Sequence, residues 1–593
     1  MGKIQVYMLP DYVRVNGLTG ELIEKNVAPI EKSRQIALTS AKNQAVSFQI
    51  IVQPESGVLS NVSVKCKDKN TEFFIEWFHR LNDKLIPDCL IPFAPGGKAF
   101  TIPLDKEYMP DQKVGAFWVD IWVPTNAQSG LTEQEIELHA DGEVVILKVL
   151  LDVKDFTVPN ESRIVADLNN YADAISPAFS HLANNPNRYT DGSYLKTEQQ
   201  FFRMAREHKC IFHNLPYKHS GAMPPTFAPE LEGEGKYIKV KSWEAFDEHF
   251  GAYLDGTAFK DCRFGEHPLE FLYLPFHLGW PSSYEKWGKK GYRTETRRIL
   301  QQFVQHFEEK GWDSTYFEIF LNHKKDYRFF PYTIDEIWYD KDEEAVDLYW
   351  DIIKDIYETS HTKFIWRIDS SSHLQNHYDH RFADYHKFWV AAHTWINWLP
   401  EAIDKFRKDN SILWAYGSIL QNLEEDLNHL FIWPIQGVIQ GYDGFCLWNT
   451  TGFGNDALAC GVNGGSELLF YPGNRFGIEA PLPSIRLKFM RNSMQFGDLL
   501  MMCKGTELQQ PLEQHIHQAF GYTKRSDWFI DKPPYFAISP QHWDFDDLYN
   551  NHTVLPRHWG KPAEFANTLI QDLYKIMDSY KTEESTGAIF KFQ

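Results

Sequence analysis

The sequence predicts a multidomain protein in which an N-terminal antiparallel β-sandwich precedes a (β/α)8 barrel of the TIM type, and three observations carry that reading. A chain of 593 residues is too long for one ordinary core. Its first part, up to about Phe156, is rich in segments that alternate apolar and polar residues, the two-residue period of half-buried strands. Beyond Arg163 the texture changes to short apolar runs, suited to buried parallel strands, separated by longer amphipathic stretches.

The strands of the first part are clearest in AVSFQIIVQP, GAFWVDIWVP and EQEIELHADGEVVILKVLLDVKDF. Within the last of these, ADGE places Gly142 where a tight turn needs a residue that tolerates positive φ, so a hairpin is expected there. The sandwich is assigned to residues 1–160, closing near DFTVP, a junction too short for a free linker; it is expected to buttress the barrel.

Eight runs then follow: RIVADLNNY, CIFHNLPY, FLYLPFHLGWP, YFEIFLNHK, KFIWRIDSS, KFWVAAHTW, ILWAYGS and GFCLWNTTG. They assign residues 161–504 to the barrel. Among the intervening helices, TETRRILQQFVQHFEEKG carries Ile299, Phe303 and Phe307 at four-residue spacing and meets Gly311 as a stop signal. Residues 505–593 are read as a C-terminal extension packed on the barrel, with Phe565, Leu569, Leu573 and Ile576 along one helix face.

Barrels of this kind carry their active sites at the C-terminal ends of the strands. The runs end in Asp167, His277, Asn322 with Lys324, Asp369, His393 with Trp395, Tyr416, and Trp448. These are the candidate substrate-binding residues of an aromatic and polar cleft, although any one of them alone is more often core. Composition points the same way. The formal charge of -20 argues against nucleic acid or an anionic membrane as partner. The aromatic share of 15%, with 19 Trp and 28 Tyr, offers the stacking surfaces on which sugars bind, or else a large aromatic core. A carbohydrate is the expected partner, and a homo-oligomer is compatible with the sequence.

No apolar run reaches membrane-span length, and MGKIQVYMLPDYVRVNG lacks the parts of a signal peptide, so a cytoplasmic protein is expected unless a signal was removed. Seven scattered cysteines without a CxxC pair read as free thiols. The helically spaced His373, His377 and His380 lack an HExxH partner and read as a solvated face, and neither a P-loop, a GxSxG elbow nor a dinucleotide fingerprint occurs. No metal and no cofactor are expected.

The carboxylates that stand out are Asp335 and Glu336, in PYTIDEIWY after the fourth barrel run. With 80 acidic residues some Asp-Glu neighbours arise by chance, and Asp247–Glu248 on a helix is read as one of them. For the later pair a resemblance adds weight. FWVDIWVPTNAQSGLTEQEIELHADGE, LDVKDFTVP and ELLFYPGNRFGIEAPLPSIRLKFMRNSMQFGDLL, in this order, resemble the glycoside hydrolase family 123-like proteins, many of them known only as a domain of unknown function. The resemblance spans roughly residues 5 to 500. It implies a sandwich joined to a (β/α)8 barrel and a retaining hydrolysis of terminal β-linked N-acetylgalactosamine. An adjacent Asp-Glu pair would carry that reaction.

Adjacent residues rarely straddle a bond, because successive side chains on a strand face opposite ways. Substrate assistance relaxes the requirement: the sugar's acetamido oxygen attacks the anomeric carbon. The resemblance then makes Glu336 the acid and base, and Asp335 the residue that holds the acetamide. In the family the pair closely follows the fourth strand, whereas here FLNHKKD intervenes and the pair arrives later. Two alternatives stand beside this reading: a glycosidase using Glu336 with a second carboxylate such as Asp369 on a non-acetylated sugar, and a barrel that binds carbohydrate without cleaving it.

Overall fold

The computed structural model describes residues 4–25, 27–55, 57–172, 174–323, 332, 334–335, 340–370, 385–392, 396–397, 400–417, 421–452, 467–529 and 560–584. Two five-stranded sheets face each other in the N-terminal part. One holds β1 (Ile4–Pro10), β3 (Gln44–Pro54), β5 (Thr71–Leu81), β6 (Lys84–Phe93) and β8 (Gly115–Val123), in the order β1-β3-β8-β5-β6. The other holds β2 (Gln35–Lys42), β4 (Leu59–Cys66), β7 (Phe100–Ile102), β9 (Gly130–Ala140) and β10 (Glu143–Thr157), in the order β2-β10-β9-β4-β7. The ladders are antiparallel except that β2 joins β10 in parallel. The ADGE turn is the expected hairpin: Asp141 and Gly142 both have positive φ, 45° and 84°, as a two-residue turn between twisted strands requires.

Alternation decides what each strand buries. Phe48, Ile50 and Val52 of β3, with Phe117, Val119 and Ile121 of β8, fill the space between the sheets. The opposite face of the same sheet is also buried, because Ile51, Ala116 and Trp118 join the core shared with the barrel.

The barrel strands are β11 (Val165–Tyr171), β12 (Ile211–Leu215), β15 (Phe271–Tyr273), β16 (Tyr316–Phe320), β17 (Phe364–Ser370), β18 (Phe388–Ala392), β19 (Ile412–Gly417) and β20 (Gly444–Leu447); a small ribbon of β13 (Glu230–Glu232) and β14 (Lys239–Ser242) is inserted before β15. All eight apolar runs form strands of one parallel sheet, ordered β12-β11-β20-β19-β18-β17-β16-β15. His213 of β12 stacks on Tyr273 of β15 with ring centres 3.6 Å apart, bringing the two ends of that sheet together. Helices α1 (Ser193–Glu207), α2 (Glu244–Leu254), α3 (Lys290–Lys310), α4 (Asp340–Thr359), α5 (Pro400–Lys408), α6 (Asn428–Gln440) and α7 (Ile485–Met502) accompany the barrel. Gly311 ends α3 in the left-handed conformation, at φ 69°. None of the helices among the described residues is long and apolar enough to cross a membrane.

Helix α7 fastens the sandwich to the barrel with buried charge. Arg486 pairs with Asp88 of β6 at 2.7 Å, Lys488 and Arg491 share Asp120 of β8 at 2.7 and 2.9 Å, and Gln495 bonds both backbone groups of Ala45 at 2.8 and 2.9 Å. The last helix, α8 (Phe565–Glu584), spans the same seam: Thr39 bonds Gln571 and Tyr574 bonds Gln44, each at 2.9 Å. Buried ions persist where partners and hydrogen bonds compensate lost hydration. Burial pushes the Asp88 carboxyl up, but Arg486 outweighs it and holds the group below its usual value. Arg486→Met therefore strands a buried carboxylate, with an expected loss of about 3–5 kcal/mol in urea unfolding.

Glu76 of β5 is fully buried and its carboxyl makes no hydrogen bond among the described residues. Burial, aided by the nearby Asp88 charge, pushes it from 4.5 up to about 8. Between those two values the folded state holds a proton that the unfolded chain has released, so stability falls as pH rises through the window and levels off above it. Replacing Glu76 with Gln removes that slope. Relative to the wild type, the variant is expected to gain up to about 4 kcal/mol between pH 4.5 and 8 in unfolding titrations.

Candidate active site

Strand alternation turns Asp167, Asn169 and Tyr171 of β11, Glu318 and Phe320 of β16, and Arg367 and Asp369 of β17 to the barrel interior. They stack in layers. The lower layer is ionic: Arg367 grips Asp369 at 2.6 and 3.1 Å and reaches Asp167 at 3.4 Å. Above it, Asn169 donates to the Tyr273 hydroxyl at 2.6 Å.

The upper layer forms at the C-terminal mouth. After β16 the chain continues through Asn322 and His323, both fully buried, and comes back to the same point: the amides of Ile334 and Asp335 donate to the His323 carbonyl at 2.9 and 3.3 Å. Asp335 thus stands beside the end of the fourth strand, although the sequence separates it from that strand. Its side chain is 10% exposed, and its Oδ2 lies 3.0 Å from His219 Nε2. The Tyr171 hydroxyl lies 2.8 Å from the same nitrogen, and Asn322 Nδ2 approaches that hydroxyl at 3.5 Å. Trp448, half-buried at the end of β20, meets Tyr171 edge-on with ring centres 4.8 Å apart.

Beneath this wall, Tyr217, His277 and His323 pack ring against ring, with His277 centred 4.6 Å from Tyr217 and 5.2 Å from His323. Tyr217 donates to the carbonyl of Phe320, while the Asn322 amide approaches the Tyr217 hydroxyl at 3.4 Å. Burial pushes His277 down to about 3 and His323 well below its ordinary range, so both rings are neutral. They support the turn at Asn322 as packing surfaces.

The candidates divide as follows. The structure brings Asp335, Asn322 and Trp448 to one wall of the mouth. Asp369, its side chain 13% exposed, reaches the mouth from below but is held in a bidentate ion pair by Arg367. Asp167 is fully buried in the floor, His277 is a packing ring beneath the mouth, and Tyr416 is half-buried at the end of β19. Glu336, Lys324, His393, Trp395 and the histidines 373, 377 and 380 lie outside the described residues. Asp247 is bonded to His306 at 2.7 Å on the barrel's outer helices. Among the residues of the site that carry no assignment from sequence are Tyr171, Arg367 and His219. The first two share a two-residue period with Asp167 and with Asp369, and that period could have found them; His219 sits in a loop, where no period exists.

The barrel mouth therefore offers a carboxylate oriented by a histidine, with a tyrosine hydroxyl and an indole alongside. Neither a protein-family model nor a curated protein matches the sequence. The structure superimposes on that of a family 123 glycoside hydrolase from Clostridium perfringens, reported in a study of glycolipid glycan hydrolysis, over 98% of this chain and 100% of that one, with 12% identity and a TM-score of 0.66. The chain has the fold of a family 123 glycoside hydrolase. Two β-glucuronidases of Bacteroides uniformis overlap it far less well: β-glucuronidase 3 over 76% of this chain and 50% of that one (8% identity, TM-score 0.28), and β-glucuronidase 2 over 79% and 48% (10%, 0.27). Scores this low carry no argument about the site.

Proposed function

We propose that the protein is a glycoside hydrolase acting on a terminal sugar of a glycan, and that it cleaves 2-acetamido sugars with retention, as a β-N-acetylgalactosaminidase does. The observation that carries this reading is the return of Ile334 and Asp335 to the His323 carbonyl, which puts Asp335 beside the fourth strand at the C-terminal mouth. The full-length match of fold to a family 123 enzyme supports it.

In the proposed reaction the acetamido carbonyl oxygen attacks the anomeric carbon while Glu336 donates a proton to the departing oxygen. The bond to the aglycone breaks as the oxazolinium ring closes. Asp335, oriented by His219, accepts the acetamide N–H and opposes the positive charge that develops on the ring. Glu336 then takes a proton from water, whose oxygen opens the ring at the anomeric carbon and restores the original configuration. Trp448 and Tyr171 supply surfaces against which a pyranose can lie. The bidentate grip of Arg367 on Asp369 disfavours Asp369 as a nucleophile, so the acetamide-assisted route is preferred to a two-carboxylate one. The sandwich, pinned to the barrel by helix α7, acts as a buttress.

The test is release of aglycone from a panel of aryl glycosides: the N-acetyl-β-galactosaminide, the N-acetyl-β-glucosaminide, and non-acetylated hexosides and pentosides. Hydrolysis of an acetamido sugar is expected. Cleavage confined to non-acetylated sugars would overturn the assisted mechanism, and silence across the panel, with sugar binding retained, would overturn hydrolysis itself.

A further inference from the structure

The seam between the sandwich and the barrel holds a cavity of about 450 Å³, a size typical of small-molecule sites, which favour such boundaries. Glu72 and Phe74 of β5 and Pro92 of β6 line it from the sandwich, and Gln200, Arg203 and Met204 of α1 from the barrel. Because α1 carries the chain back from the end of β11 toward the start of β12, its last turns lie at the N-terminal end of the barrel. The cavity is therefore at the far end of the barrel from the mouth, and none of its lining residues belongs to the site described there.

Charge cancels across the lining. Arg203, Arg263, Lys488 and Arg491 are matched by Glu72, Glu207 and Asp261 together with Asp120, which Lys488 and Arg491 share. Burial, reinforced by the Lys488 and Arg491 charges, keeps the His208 ring neutral. Net charge thus selects neither an anion nor a cation. What the lining offers instead is hydrogen-bonding capacity. The His208 Nδ1–H donates to the Met204 carbonyl at 2.6 Å, which leaves Nε2 an acceptor, buried and without a hydrogen bond among the described residues. Arg203 donates from Nη1 to the Ala258 carbonyl at 2.7 Å. Its other guanidinium nitrogens, the Gln200 amide and the Asp261 carboxylate have no hydrogen-bond partner among the described residues. These donors and acceptors are interleaved with the apolar surfaces of Met204, Pro92, Pro481 and Pro483. A ring with apolar faces and an edge of hydroxyls, each both donor and acceptor, matches such a lining, and that is a neutral sugar. We infer that the seam cavity is a second carbohydrate-binding site, separate from the mouth, which takes a neutral sugar unit.

The experiment titrates the full-length protein with the methyl β-glycosides of galactose, glucose and xylose, and with galacturonate, and reads binding by saturation-transfer NMR. The comparison is with a Gln200→Ala, Arg203→Ala double variant whose folding is checked by its thermal unfolding midpoint. At least one neutral glycoside is expected to bind the wild type, and its Kd to rise at least about tenfold in the variant, while KM on an aryl hexosaminide stays within about twofold. Should the double variant not fold, Gln200→Ala alone takes its place, with an expected rise of at least about threefold. The inference is overturned by absence of binding to every neutral glycoside, by a Kd unchanged in the folded variant, or by tighter binding of galacturonate than of any neutral sugar. A KM that rises in step with Kd would place both effects at one site and also overturn it. Binding is scored whether or not any glycoside is cleaved, so a protein that hydrolyses nothing leaves this inference standing, and loss of the cavity site leaves the reading of the mouth intact.

Discussion

Asp335→Asn is expected to lower kcat on an N-acetyl-β-hexosaminide by roughly 10²–10³ while leaving KM within a few fold. The substitution keeps the size of the side chain and leaves an oxygen to meet His219 Nε2, 3.0 Å away, so the mouth keeps its shape. What it removes is a negative charge facing the acetamide as that group becomes cationic. The interaction is strongest at the transition state and weak in the ground state, which places the loss in kcat. Steady-state kinetics on an aryl substrate checks this. Equal losses on acetamido and non-acetylated sugars would show that Asp335 does not act through the acetamide.

Glu336→Gln is expected to cost more on substrates with poor leaving groups, roughly 10²–10⁴ in kcat/KM, and less as the aglycone becomes more acidic. A dinitrophenolate can depart without a proton; an alkoxide cannot. The pH profile is the second readout. The wild type is expected to show a bell, whose descending limb is the loss of the proton that Glu336 must donate, and the variant should lose that limb while keeping the ascending one. A variant profile that is still a bell would place the general acid elsewhere.

Much of the fold was legible because buried strands leave a simple trace. Runs such as YFEIF and ILWAYG are short, apolar and bounded by polar residues, and each became a barrel strand. The Asp141–Gly142 turn and the Gly311 stop were visible because only a few residues tolerate their backbone angles. The second buried face of the sandwich was harder to foresee. Asp120 in FWVDIWV reads as a solvent-facing residue of a half-buried strand, yet it lies between Lys488 and Arg491, some 370 positions further along. Pairing at that separation has no local signature.

The site divides in the same way. Residues at strand ends, such as Asn322, Asp369 and Trp448, follow from the architecture once the strands are placed. Local pattern does not tell which strand-end acids are ion-paired below the mouth, as Asp167 and Asp369 are with Arg367. Nor does it show that Ile334 and Asp335 come to lie against His323. The late arrival of Asp335 in the sequence is undone in space by two hydrogen bonds to one carbonyl, that of His323. His219, which orients Asp335, comes from a loop after the second strand and is found only from the structure.

The most direct test of acetamide participation is the hydrolysis rate of a series of aryl hexosaminides carrying acetyl, fluoroacetyl, difluoroacetyl and trifluoroacetyl groups on the 2-nitrogen. Each fluorine withdraws electrons from the carbonyl oxygen that is proposed to attack. Participation predicts a steep, monotonic fall in kcat along the series, whereas a flat series would contradict the account and assign the attack on the anomeric carbon to the protein or to water.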